Sequence, residues 1–249
     1  MLRHSNGKHR CSTGPCHQLL HVAPIKMMIK NLIAALVAAF SFSALAGSTC
    51  QGKFLNDNPP PVKYDQEICF TQFSVLYSDS LKDPVISAQH LTAEDVKGSL
   101  QLKRKDAFHS EPKVPKQFEA TQKDYAKSGY DMGHMTAAGD AGTAQEQLET
   151  FSLANMTPQL PDLNRKAWRL MEEAVRKQVL AEGDAWVVTG MIPGDKTIGN
   201  GVNVPSVIWK AVKAKSGEAV YVGDNTTGTV TKMTSAQFAL KYGIKPFNE

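Results

Sequence analysis

His134 stands between Gly133 and Met135 in SGYDMGHMTAAGD (Ser128–Asp140), with Asp131 three residues before it. An unperturbed imidazole titrates near 6.5, so at ordinary pH it is neutral and able to take a proton. Gly133 has no side chain and permits a tight backbone approach. Asp131 is placed to orient a neighbour or cap a turn. About twenty residues on, LANMTPQLPDLNRKAWRLMEE (Leu153–Glu173) sets Asn155, Asn164 and Glu172 in or beside apolar surroundings. On an α-helix Glu172 lies about 12 Å beyond Asn164 and roughly 80° round from it. Two side chains so placed are poorly suited to bind one small cation directly. Asn164 could ligate it while Glu172 reaches it through a bound water. Mg²⁺ suits such a site, since it keeps several waters and needs few protein ligands. A structural zinc wants Cys and His at close spacing, and no such cluster is present after residue 46. Taken singly, each residue has a plainer reading: a histidine near a turn, a helix-start cap at Asn164, a solvated helix face at Glu172.

The elements that must position these groups read as a mixed α+β domain. CFTQFSVLYS (Cys69–Ser78) is aromatic and β-branched and predicts one strand; SLKDP is a turn and VISAQHL a second strand. HLTAEDVKG opens a polar excursion that runs to about Gly129 with little regular structure, and such a segment is usually functional when ordered. Trp168, Met171, Val175 and Val179 recur at helical spacing, so Pro161–Leu180 predicts an amphipathic helix ended by Gly183. DAWVVTGMI, VPSVIWKAVKA and EAVYVGDN predict three further strands, with KSG as a hairpin turn, and SAQFALKYG a short closing helix.

The front of the chain is not read as fold. Lys30, the apolar run NLIAALVAAFSFSALAG and the ending Ala44-Leu45-Ala46 describe a secretory signal over 27–46, cleaved after Ala46. The run is short for a membrane span. Residues 1–26 are expected to be untranslated or removed, leaving 47–249 as a single domain with no membrane association and a periplasmic or extracellular location. Five of the 28 Lys and Arg fall in residues 1–46 and no acidic residue does, which leaves 23 against 24 Asp and Glu, a net charge of −1. A uniformly basic, polyanion-binding molecule is thereby excluded; nucleic-acid binding would need a local patch. Such a patch has candidates in Lys103, Arg104, Lys105, Lys113 and Lys116, and in Arg165, Lys166, Arg169, Arg176 and Lys177. Cys50 and Cys69 remain in a compartment that permits oxidation. A bridge there would be worth roughly 3 kcal/mol and would staple the NDNPPPV segment.

Read together, the two site stretches resemble the non-specific DNA/RNA endonucleases of the ββα-metal fold. That family's first signature, Asp-Arg-Gly-His, stands here as Asp131-Met132-Gly133-His134. Its second stands as Asn155, Pro158-Gln159, Asp162-Leu163-Asn164, Trp168 and Glu172. The likeness extends diffusely over about Phe73–Val222, and RKDAFHSEP resembles the family's arginine-bearing loop. The resemblance implies a ββα-metal nuclease domain with a central antiparallel sheet and a long helix carrying the metal ligand. It implies His134 as general base, Asn164 as the direct Mg²⁺ ligand (Mn²⁺ as substitute), and Glu172 holding metal-bound water. Asn155 would support the site by hydrogen bonding, and Arg104 would clamp phosphate, with Lys103 and Lys105 as rivals. Methionine replaces the signature arginine at position 132, which bears on substrate grip more than on catalysis. The implied activity is Mg²⁺-dependent hydrolysis of DNA and RNA, gripped through backbone phosphates with little sequence preference. A catalytically weakened nucleic-acid-binding protein and a hydrolase of another phosphodiester stay open as alternatives, as do an inhibitor protein and a homodimer as partners.

Overall fold

The computed structural model describes residues 47–248. The leader expected over 1–26 and 27–46 lies outside the described residues. In chain order the elements are β1 (Gln66–Cys69), β2 (Phe73–Ser78), β3 (Asp83–Thr92), α1 (Ala93–Ser99), α2 (Gln122–Tyr125), β4 (Asp131–His134), α3 (Ala144–Thr150), β5 (Met156–Gln159), α4 (Arg169–Glu182), β6 (Asp184–Ile192), β7 (Lys196–Ile198), β8 (Val202–Val204), β9 (Val207–Ala214), β10 (Gly217–Asp224), β11 (Val230–Met233) and α5 (Ser235–Tyr242). Seven strands form one sheet in the order β1-β2-β3-β6-β9-β10-β11, and every neighbouring pair is antiparallel.

Period-two alternation assigns the two faces of the central strands. From β6 and β9, Ala185, Val187, Met191, Ile208 and Val212 meet Trp168, Met171, Val175 and Val179 of the helix side. Val188, Trp209 and Ala211 face the other way, onto Phe238 of α5 and onto Phe54 and Phe247. The helical stripe read from the sequence is therefore the inner face of α4. Gly183 ends that helix at φ 103, a conformation that suits glycine. On the helix-facing side of β9, between Ile208 and Val212, stands a buried charged residue, Lys210.

Three sequence expectations change. Cys69–Ser78 is not one strand: β1 and β2 pair across a turn at Phe70–Gln72, where the Phe70 and Phe73 rings stack 4.4 Å apart. Aromatic residues in that turn carry the same signal as a strand, which hid it. The polar excursion opens with a helix, α1, whose Thr92 and Asp95 form a reciprocal capping box. The long helix is not α-helical from its start, since Leu163–Trp168 is a π-helical turn. At the N-terminal end Cys50 and Cys69 are bridged, with Cα atoms 5.3 Å apart. Among the described residues no helix is long and apolar enough to cross a membrane.

Candidate active site

Strand β4 carries His134 and pairs antiparallel with β5, with Asp131 opposite Gln159 and His134 opposite Met156. Gly133 makes this possible. A Cβ there would sit 2.1 Å from the Gln159 side chain, so only glycine lets that side chain lie against the strand. The π turn sets the other half of the site. It advances each residue through a smaller angle than the α-helix's roughly 100°. The offset between Asn164 and Glu172 is therefore smaller than the unbroken helix of the sequence reading gives. Both residues line one cleft of about 440 Å³, together with His134, Asp131, Met132, Arg104, Arg165 and Arg169.

The excursion between α1 and β4 is ordered across this cleft. His109 N–H donates to Phe151 O (3.2 Å), and Leu153 N–H to His109 O (2.8 Å). Ser152 Oγ donates to the buried Glu111 at 3.1 Å. So anchored, the loop brings Arg104, Asp106 and Phe108 to the cleft wall. Arg104 donates to Asp106 at 2.7 Å, and its guanidinium lies 5.2 Å from the Phe151 ring centre.

His134 packs edge-to-face with Phe151, ring centres 4.8 Å apart, and is tilted against Phe108 at 6.0 Å. Its Nε2 is buried without a hydrogen-bond partner, and the ring lines the cleft. Burial, with Arg104 and Lys210 adding to it and Asp106 opposing, lowers the pKa of His134 to about 3. The ring is neutral at any ordinary pH. The other two histidines outside the leader are engaged elsewhere: His90 with Asp184 at 2.8 Å and His109 with Ala107 O at 2.9 Å.

Asn164 Nδ2 donates to Asp131 Oδ2 at 2.9 Å. Glu172 is partly buried at the cleft, and burial raises its pKa while Lys210 opposes the shift. Lys210 Nζ stands 3.5 Å from Glu172 Oε1, too far for a good hydrogen bond, and that oxygen has no hydrogen-bond partner. Lys210 instead donates to Met135 O at 3.1 Å. The donor chemistry, a carboxamide oxygen and a carboxylate with spare acceptor capacity, fits a hard divalent cation. Among the described residues no group of three or more His, Cys, Asp or Glu is gathered for a metal. A cation held here would keep most of its water.

Asn155 does not stand in the cleft. It is fully buried. Its Nδ2 donates to Thr136 O and Thr150 O, both at 2.9 Å. Its Oδ1 accepts from Thr136 N–H at 3.0 Å and Ser87 Oγ at 3.2 Å. Through these bonds it holds the chain just after His134. The basic residues converge only in part. Arg104, Arg165 and Arg169 reach the cleft; Lys103 and Lys105 line a separate hollow beside α3; Arg176 turns inward to Asp140 at 3.0 Å. Met132 lines the cleft and packs against the apolar group of Tyr125, Leu153 and Met156. Lys210 was missed from the sequence. Its signal was a lysine at an inward position of VIWKAVKA.

A histidine-bearing pair of short strands laid beside a helix that carries an amide and a carboxylate is the ββα-metal arrangement of nucleases. The chain belongs to the DNA/RNA non-specific endonuclease family, whose model matches residues 51–249. It is similar to the mitochondrial nuclease EXOG of Danio rerio, 31% identical over 62% of this chain and 50% of that protein. It is also similar to the mitochondrial nuclease 1 of Schizosaccharomyces pombe, 32% identical over 67% of this chain and 56% of that one. The chain thus spans about half the length of these curated relatives. A solved structure described as an EndoG/EndoGI complex, showing the mechanism of EndoG inhibition, matches 73% of this chain and 85% of its own with a TM-score of 0.62 at 26% identity. The relatives named as mitochondrial overturn the periplasmic or extracellular location expected from the leader.

Proposed function

We propose that this chain is a Mg²⁺-dependent endonuclease that hydrolyses phosphodiester bonds of DNA and RNA with little sequence preference, residues 47–249 working as one domain. The observation that carries the reading is a single cleft shared by a neutral His134, the carboxamide of Asn164, the carboxylate of Glu172 and three arginines. His134 accepts the proton of the attacking water. Its low pKa makes it a weak base on its own, but a phosphate anion lodged beside it acts against the neighbouring cations and raises that pKa. Arg104 and Arg169 hold phosphate oxygens, for which the guanidinium fork is suited, while Arg165, paired with Asp131, adds positive charge at the cleft. Asn164 holds the cation directly and Glu172 holds its water. When bound, Mg²⁺ or Mn²⁺ supplies charge stabilisation at the phosphate and the leaving oxygen. Grip through the backbone, with no element shaped to read a groove, gives salt-sensitive binding indifferent to sequence. The relatives' names support the mitochondrion as the compartment, and the EndoG complex supports an inhibitor protein as a further partner.

The test is incubation of the full chain with supercoiled plasmid and with RNA, with Mg²⁺ or with chelator. Cutting of both that stops with chelator and in His134→Ala is expected. Tight retention without cutting, or cleavage of small diesters alone, would refute the reading.

A further inference from the structure

We propose that Asp131 is a positioning residue that fixes the carboxamide of Asn164 with its oxygen toward the cleft. An amide side chain has two ends of nearly the same shape, and only its hydrogen-bond partners decide which way it turns. Asp131 Oδ2 is 2.9 Å from one end of Asn164. An ionised carboxylate only accepts, so the end facing it must be the NH₂ group. The oxygen is left for the cleft that Asn164 lines, and no hydrogen bond to it from a described residue is present.

The carboxylate is itself held. Arg165 donates to Oδ2 through Nε at 2.8 Å and to Oδ1 through Nη2 at 2.5 Å, a two-pronged grip. Asp131 also lies in the backbone ladder of β4 and β5, opposite Gln159. The strand fixes the carboxylate, the carboxylate fixes the amide, and the amide presents a hard oxygen donor without a search over its two orientations. Without Asp131 the amide is free to turn its NH₂ into the cleft, which repels a cation. This inference rests on the proposed role of Asn164 as a cation ligand, and the test separates the two.

The experiment is titration of Mn²⁺ into the full chain by calorimetry, without nucleic acid, for wild type, Asp131→Ala, Asp131→Asn, Asn164→Ala and Asp131→Ala/Asn164→Ala, with a thermal melt of each. Outer partners of metal ligands typically contribute 10–100-fold in affinity, so Asp131→Ala is expected to bind Mn²⁺ at least about tenfold more weakly. Asp131→Asn removes the charge but keeps an oxygen, which in the place of Oδ2 accepts from both Arg165 Nε and Asn164 Nδ2. It is expected to stay within about threefold of wild type. Adding Asp131→Ala to Asn164→Ala should change nothing further. Wild-type affinity in Asp131→Ala, or an Asp131→Asn as weak as Asp131→Ala, overturns the proposal, the second because charge rather than orientation would then be at work. Wild-type affinity in Asn164→Ala instead removes the ligand role of Asn164, and this proposal with it.

Discussion

Two asparagines nine residues apart are used in opposite ways. The side chain of Asn155, behind the cleft, makes four hydrogen bonds and has no capacity left over. That of Asn164, in the cleft, makes one, to Asp131. The acidic residues repeat the contrast. Asp140 meets Arg176 at 3.0 Å through Oδ1 and accepts from Gln89 at 2.8 Å through Oδ2. Glu172, one turn before Arg176 on α4, stands 3.5 Å from Lys210 with an oxygen lacking any hydrogen bond. A buried polar group left without partners is costly, of order 1–3 kcal/mol. In this contrast Asn155 and Asp140 serve as scaffold, while Asn164 and Glu172 keep acceptor capacity and line the cleft.

The largest break in that contrast would come at His134. His134→Ala is expected to lower turnover about 10²–10⁴-fold, the range of a general base, with the fold retained in a cooperative melt; a collapsed fold would mean the ring is structural. Next come the two ion pairs. Asp140→Ala leaves Arg176 buried without its partner and is predicted to cost about 3–5 kcal/mol in urea unfolding. Glu172→Gln should cost about 1–2 kcal/mol, because that pair is longer and burial already favours the neutral acid. Equal losses would erase the distinction. Asn155→Ala strands both the N–H and the carbonyl of Thr136 and is predicted to cost about 3 kcal/mol. The metal requirement of its remaining activity should not change. Asn164→Ala should cost under about 1 kcal/mol, since Asp131 keeps Arg165, and should lose the metal response instead.

The acid side gives a finer test. His134 has a folded pKa of about 3, below its unfolded value near 6.5. Between these values the unfolded chain binds the extra proton, so stability is fully present above about 6.5 and falls as pH drops toward 3. His134→Leu should flatten that part of the stability–pH curve by on the order of a few kcal/mol. Parallel curves would mean that the ring is not held neutral.

Much of this was legible in the sequence. The stripe of Trp168, Met171, Val175 and Val179 gave the inner face of α4, and β6, β9, β10 and α5 followed from alternation and helical spacing. His134 stood out beside Gly133, and Asn155, Asn164 and Glu172 as polar groups in apolar surroundings; of these His134, Asn164 and Glu172 share one cleft. Three things were hidden. The pairing of β4 with β5 joins four-residue strands about 25 positions apart, too short for any period to show. The π turn has no compositional mark, so the helix geometry expected for Asn164 and Glu172 was wrong in angle. Asn155 and Asn164 look alike in sequence because the difference between them lies in their partners. Ser87, Thr136 and Thr150 come from distant or irregular segments. The location was misread from the leader, and only the relatives corrected it.

The central claim is that the unsaturated half of the network is a cation and phosphate site. Crystals of the full chain soaked in Mn²⁺ would test it most directly, by anomalous scattering at the manganese edge. The account predicts one strong peak in the cleft, in coordinating contact with Asn164 Oδ1 and facing Glu172 across ordered water. A peak elsewhere, or an empty cleft at saturating Mn²⁺, would contradict it.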